Sequence, residues 1–241
     1  MNQVIQQLKE RKSVRVFADK PIESEKVSAI LEAAVNAPTA GNQQLYTIIH
    51  VTDPQLKAQL AESCDHQPFI AKAPLVLVFC ADCRKWYNTF LEYGCQPRKP
   101  GVGDLLLAVS DTNIAAQNAV VAAQSLGIGS CYIGDIMENA EQQRQLLSLP
   151  PYVFPAAMLV FGYPTPEQLE REKPPRSELG HIVHENGYRD MDAQELKQML
   201  YVKTGVRDFE DWIVAFCNRK YNSDFSREMT RSVQVFLEDF Q

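Results

Sequence analysis

Arg11, Lys12, Ser13 and Arg15 stand together in the stretch RKSVRVF, Arg11–Phe17. Cations packed so closely repel one another unless something negative lies among them. The chain as a whole is acidic, with 24 Lys+Arg against 30 Asp+Glu and a net charge of −6. A broad nucleic-acid-binding surface is therefore not expected, and any anion site must be a local basic cluster. Other polar residues stand out in the same way. The small-residue loop APTAGNQQ (37–44) carries Pro38, Thr39 and Asn42; Gln67 sits in DHQPF; Lys173 and Arg176 sit in EKPPR. Taken singly, each reads more simply as a helix end or a turn.

Several chemistries are set aside by spacing. CADC (80–83) is one C-x-x-C with no second pair, so it reads as the end of a buried strand rather than a zinc or redox site. GIGSCYIG (127–134) lacks the third glycine of a dinucleotide fingerprint and follows a helix instead of a strand. Asp135 and Ile136 stand where a P-loop needs Lys and Ser/Thr. No G-x-S-x-G elbow occurs, and the four histidines have no evident acidic partners for a metal.

The elements that must position the polar residues follow from periodicity. Val4, Ile5 and Leu8 make a helical stripe, and Val27, Ile30, Leu31 and Ala34 make another that Pro38 closes. LYTIIHV (45–51) reads as a strand; Asp53 and Pro54 open a helix. PLVLVFCAD is a near-continuous apolar run, as for a strand covered on both faces. Residues 104–127 predict a long Ala-rich helix ending at Gly127, apolar almost all round and so expected to be buried. CYIGDI (131–136) is a short strand or loop, Asn139 caps a helix to Ser148, and PAAMLVFGYP (155–164) is another buried strand. Strands alternating with helices argue a helix-covered α/β or α+β sheet. Residues 164–180 read as a surface loop, and 192–241 as a helical tail with Trp212, Phe216, Phe236 and Phe240. The expected division is a core over 1–190 and a C-terminal helical extension over 191–241. The six cysteines read as reduced thiols in a soluble, cytoplasmic protein that crosses no membrane.

The polar stretches also occur in a telling order: R-x-S-x-R, A-P-T-x-x-N-x-Q, H-Q-P-F-I-x-K-A-P, S-L-G-I-G-S-C-Y-I-G and P-P-R. This order resembles the FMN-dependent nitroreductase family, in its NADPH-preferring branch of oxygen-insensitive nitroreductases and flavin reductases. The resemblance runs from about Val4 to Tyr188. It implies an α+β (mixed α/β) fold, a homodimer and FMN bound at the interface. Arg11, Ser13 and Arg176 would hold the phosphate, with Lys173 nearby and Lys12 acting through its backbone. Arg15 would face the flavin near N1 and O2, and Gln67 would read the pyrimidine edge. Pro38, Thr39 and Asn42 would come from the partner subunit. The backbone of Tyr132, Ile133, Gly134 and Asp135 would border the ring.

No side chain is then catalytic; the chemistry belongs to the flavin. NADPH or NADH would reduce it, and a nitroaromatic, quinone or free flavin would reoxidise it, in ping-pong order. Two alternatives stay open: a reductase supplying reduced FMN to a partner, and a non-catalytic flavin-binding module. The aromatic tail is expected to wrap the partner subunit across an interface above ~2,000 Å². Asp135 and Met137 depart from the resemblance, which has a small residue and an arginine there.

Overall fold

The computed structural model describes residues 2–241. The chain divides into two compact units, one running to Arg171 and resuming at Glu228, the other Glu172–Arg227. This boundary differs from a division at residue 190.

The first unit runs α1 (Gln3–Glu10), α2 (Ser24–Val35), β1 (Tyr46–Val51), α3 (Pro54–Ser63), α4 (Pro68–Lys72), β2 (Leu75–Asp82), α5 (Arg84–Glu92), α6 (Val102–Ser125), β3 (Gly129–Ile133), α7 (Ala140–Leu147), β4 (Val153–Gly162) and α8 (Pro166–Glu170). The strands form one sheet in the order β1-β2-β4-β3. Every pairing in it is antiparallel, so the fold is α+β rather than α/β.

Alternation on β2 and β4 explains their continuous apolar character. Leu75, Leu77, Phe79, Leu159 and Phe161 face one core, with Ile30 of α2 and Ala115, Ala119 and Ala123 of α6. Val76, Val78, Met158 and Val160 face the other, with Leu60 of α3 and Ile70 of α4. A strand covered on both sides has no polar face to show. The Ala-rich face of α6 lets that helix lie close on the sheet, and Gly127 closes it at φ 73.

Several sequence expectations need correction. α6 is not buried all round: Leu106, Leu107 and Ile114 form an exposed apolar stripe at 63%, 45% and 41%. The stretch 164–180 is not all loop, because Pro166 starts the short helix α8. Helix α2 ends as expected, at Val35 with Asn36 as its C-cap two residues before Pro38. Asn139 is left-handed at φ 52, and its side chain donates to the Ser63 carbonyl (3.0 Å) instead of capping α7.

The second unit holds α9 (Ala193–Tyr201), α10 (Phe209–Lys220) and the start of α11 (Asp224–Leu237). Asp192 and Glu195 form a capping box on α9, and Trp212 stacks on Phe216 at 5.1 Å. From Glu228 onward, α11 belongs to the first unit. There Phe236 meets Phe154 edge-on at 5.2 Å, and Phe240 meets Tyr152 at 5.6 Å. Phe236 and Phe240 are thus buried on their own chain, because the helices leave a gap over Phe154 that they fill.

Candidate functional site

Asn2 caps α1 by accepting from the Ile5 amide (3.0 Å), and α1 ends where Arg11 donates its amide to Gln7. The chain then straightens and lies along the sheet edge. Ser13 pairs in parallel with Ser130 of β3, and Phe17 pairs with Pro164 beyond β4. The Val14 and Ala18 amides donate to the Ser130 and Tyr163 carbonyls at 3.0 and 2.8 Å. Extended backbone turns Ser13 and Arg15 away from the side on which Val14 is buried. Two glycines make this possible. A Cβ at Gly129 would lie 2.5 Å from Val14 Cγ2, and one at Gly162 would lie 2.5 Å from Phe17 Cδ1.

The cations along this strip have separate tasks. Lys12 Nζ donates to the Leu169 carbonyl (2.6 Å) and to that of Arg171, capping the C-terminal end of α8. Its ammonium is thereby engaged, and the role expected of its side chain is structural. Arg11 lies with Gln7, Leu8, Val121 and Gln124, and its Nη1 is buried with no partner among the described residues. A buried guanidinium donor left unpaired is costly, so this atom calls for an acceptor. Arg15 donates its amide to Gln168 (3.2 Å), and its guanidinium carbon lies 6.0 Å from the Phe69 ring centre. That ring belongs to α4, two residues beyond Gln67.

Gln67 precedes α4 at the end of a tight reversal, after Asp65 and His66 at φ 59 and 51. Its Nε2 donates to the Cys64 carbonyl (2.8 Å) and to Asp135 Oδ2 (3.1 Å). Asp135 sits in the 3-10 turn Gly134–Met137 that follows β3, so the structure brings Gln67 and Asp135 together. Along β3, Ile133 is buried while Tyr132 is turned outward, where its hydroxyl donates to Gln117 (3.3 Å). Behind the turn, Glu138 is buried with Oε1 unpartnered among the described residues.

The loop at Pro38–Asn42 is held elsewhere. Buried Asp111 of α6 accepts from the Thr39 hydroxyl and from the amides of Ala40 (3.0 Å) and Leu45 (3.4 Å). The Thr39 oxygen in turn accepts from the Gln44 amide (2.9 Å). Gly41, Asn42 and Gln44 all take positive φ, so the loop is tightly coiled with Pro38 and Asn42 exposed. The Thr39 side chain therefore anchors the loop. Asp111 lies in a run that reads only as helix, and nothing local in the sequence marks it as the anchor. It stands ten residues before Val121 on α6, about 15 Å along the helix axis. Within one chain, Thr39 and Arg11 are thus far apart.

Lys173 and Arg176 lie in the second unit, where Arg176 Nη1 donates to the Pro174 carbonyl (3.1 Å).

A four-stranded antiparallel sheet with a cation-bearing strip at its edge narrows the class, and similarity to known proteins fixes it. The chain belongs to the nitroreductase family, whose model matches residues 8–163. It is an oxidoreductase. It is similar to an FMN reductase [NAD(P)H] of Bacillus subtilis, 29% identical over 99% of this chain and 92% of that one. It is also similar to an oxygen-insensitive NADPH nitroreductase of Salmonella typhimurium, 36% identical over 81% and 79% of the two chains. Among solved structures, an oxidoreductase from Bacteroides fragilis superposes with a TM-score of 0.87 at 26% identity, covering 97% and 98%.

Proposed function

We propose that this chain is an FMN-dependent NAD(P)H oxidoreductase acting on nitroaromatics, quinones or flavins. The observation that carries the reading is the buried, unpartnered Nη1 of Arg11 at the head of a strip leading past Ser13 to Arg15 and Gln67. An FMN phosphate is a dianion that forked, permanently charged donors match. Arg11 and Ser13 bind it. Lys173 and Arg176 keep the phosphate-binding role that the resemblance assigns them. Arg15 places a fixed positive charge beside α4, where it favours an electron-rich ring. When bound, FMN would supply the chemistry, two-electron transfer between a reduced nicotinamide and the acceptor.

The active form is a homodimer. The partner's loop of Pro38, Thr39 and Asn42 completes each site, as the resemblance implies. The exposed stripe of Leu106, Leu107 and Ile114 supplies apolar surface for that contact. All six cysteines are free, which suits a reducing cytoplasm.

The purified protein is expected to be yellow, with visible absorption bleached anaerobically by NADPH or NADH. A colourless protein that takes up no added FMN would overturn the reading. The similarity to an FMN reductase favours free flavin as a second acceptor class, and comparing turnover of FMN with that of a nitrofuran separates the two.

A further inference from the structure

The Gln67 amide has two N–H groups and one carbonyl oxygen. Both N–H groups are committed, one to the Cys64 carbonyl at 2.8 Å and one to Asp135 Oδ2 at 3.1 Å. A carbonyl and an ionised carboxylate only accept, so turning the amide over would set Oε1 against two oxygens with no proton between them. Among the described residues nothing donates to Oε1.

Both acceptors are held firmly. The Cys64 carbonyl belongs to the residue that ends α3, whose amide donates to Leu60 (3.0 Å). Asp135 is fixed by its turn, where its carbonyl accepts from the Glu138 amide (3.0 Å) and Met137 accepts from the Ser232 hydroxyl (2.7 Å).

We infer that Asp135 is a positioning residue that locks Gln67 with Oε1 as its only remaining group, so that the site selects a ring edge presenting an N–H. This rests on the flavin reading above. The oxidised isoalloxazine carries one ring N–H, at N3 of its pyrimidine, flanked by two carbonyls. A free amide can meet either kind of group by turning over; the locked one can only accept.

The test compares binding of FMN and N3-methyl-FMN to apoprotein by flavin fluorescence quenching. The wild type is expected to bind the methylated analogue at least about tenfold more weakly, as a site loses when its acceptor finds no donor. Asp135→Ala, which frees the amide, should narrow that ratio to about threefold. Asp135→Asn should restore it, because its carbonyl oxygen can accept the same N–H. Gln67→Met, of similar length, should abolish the ratio. Equal binding of both flavins by the wild type would overturn the inference. So would a full ratio in Asp135→Ala, which would leave Cys64 sufficient, or in Gln67→Met, which would make the penalty steric. Wild-type protein that binds neither flavin would instead overturn the flavin reading itself.

Discussion

Glu138 lies behind the turn that carries Asp135, 6% exposed and without a donor to Oε1 among the described residues. Burial, and then the carboxylates of Asp135, Asp65 and Glu228, push its pKa from 4.5 up to about 7. Between those values the folded chain keeps the proton and the unfolded chain releases it. The contribution to stability is therefore fully present below about 4.5 and is lost as pH rises through about 7. Glu138→Gln removes this titration. Thermal melts should show the variant gaining on the wild type by on the order of 1–2 kcal/mol at pH 8 and hardly at all at pH 5. An equal difference at both pH values would contradict the assignment. The sequence around Glu138 shows only Asp135; its burial and the carboxylates of Asp65 after α3 and Glu228 on α11 come from the fold. Arg11 could be nominated as an anion ligand because its motif is local. The engagement of Lys12 was not legible, because it depends on α8, a five-residue helix hidden in a proline-rich stretch.

At the scale of elements, the strip from Ser13 to Phe17 lies on the sheet edge only because β3 begins and β4 ends with a glycine on the facing side. Within GIGSCYIG the glycines are unequal. Gly129→Ala forces a Cβ to within 2.5 Å of Val14, whereas a Cβ at Gly134 meets nothing within 4 Å. Overpacking against a buried valine costs roughly 1–3 kcal/mol. Chemical denaturation should show a loss of that size for Gly129→Ala, together with weaker FMN binding as Ser13 and Arg15 are displaced. Gly134→Ala should leave the unfolding midpoint nearly unchanged. If the two variants were equally stable, close approach would not be the reason for Gly129. The strands, α6 and its Gly127 terminus were readable from period and turn chemistry. Helices α4 and α5 were not, being short and set between stronger signals.

For the whole molecule, the proposed dimer can be tested at the apolar stripe on α6. Helix α6 is long and apolar enough to cross a bilayer by length and composition alone, but its Ala-rich face packs on the sheet as a core helix does. The opposite stripe stays bare on the single chain. Leu107→Glu combined with Ile114→Lys should leave the fold intact and shift the protein to monomer in sedimentation velocity. FMN should be lost with the dimer, since the loop at Pro38–Asn42 would no longer meet the partner's Arg11. A double variant that stayed dimeric would place the interface elsewhere.

The sequence by itself determined the family and the α+β class, and it nominated the residues proposed to bind the anion. Those rest on short-range patterns: residue order within motifs, the period of apolar positions, and a glycine or proline at a turn. The tertiary structure alone decided which polar groups are already engaged. It sent Lys12 to the end of α8, tied Thr39 to Asp111, folded Phe236 and Phe240 onto their own core, and set Asp135 beside Gln67. Each of these pairings joins segments far apart in the chain. A residue's type says which hydrogen bonds it can make, but only the packed chain decides which of them remain for a ligand.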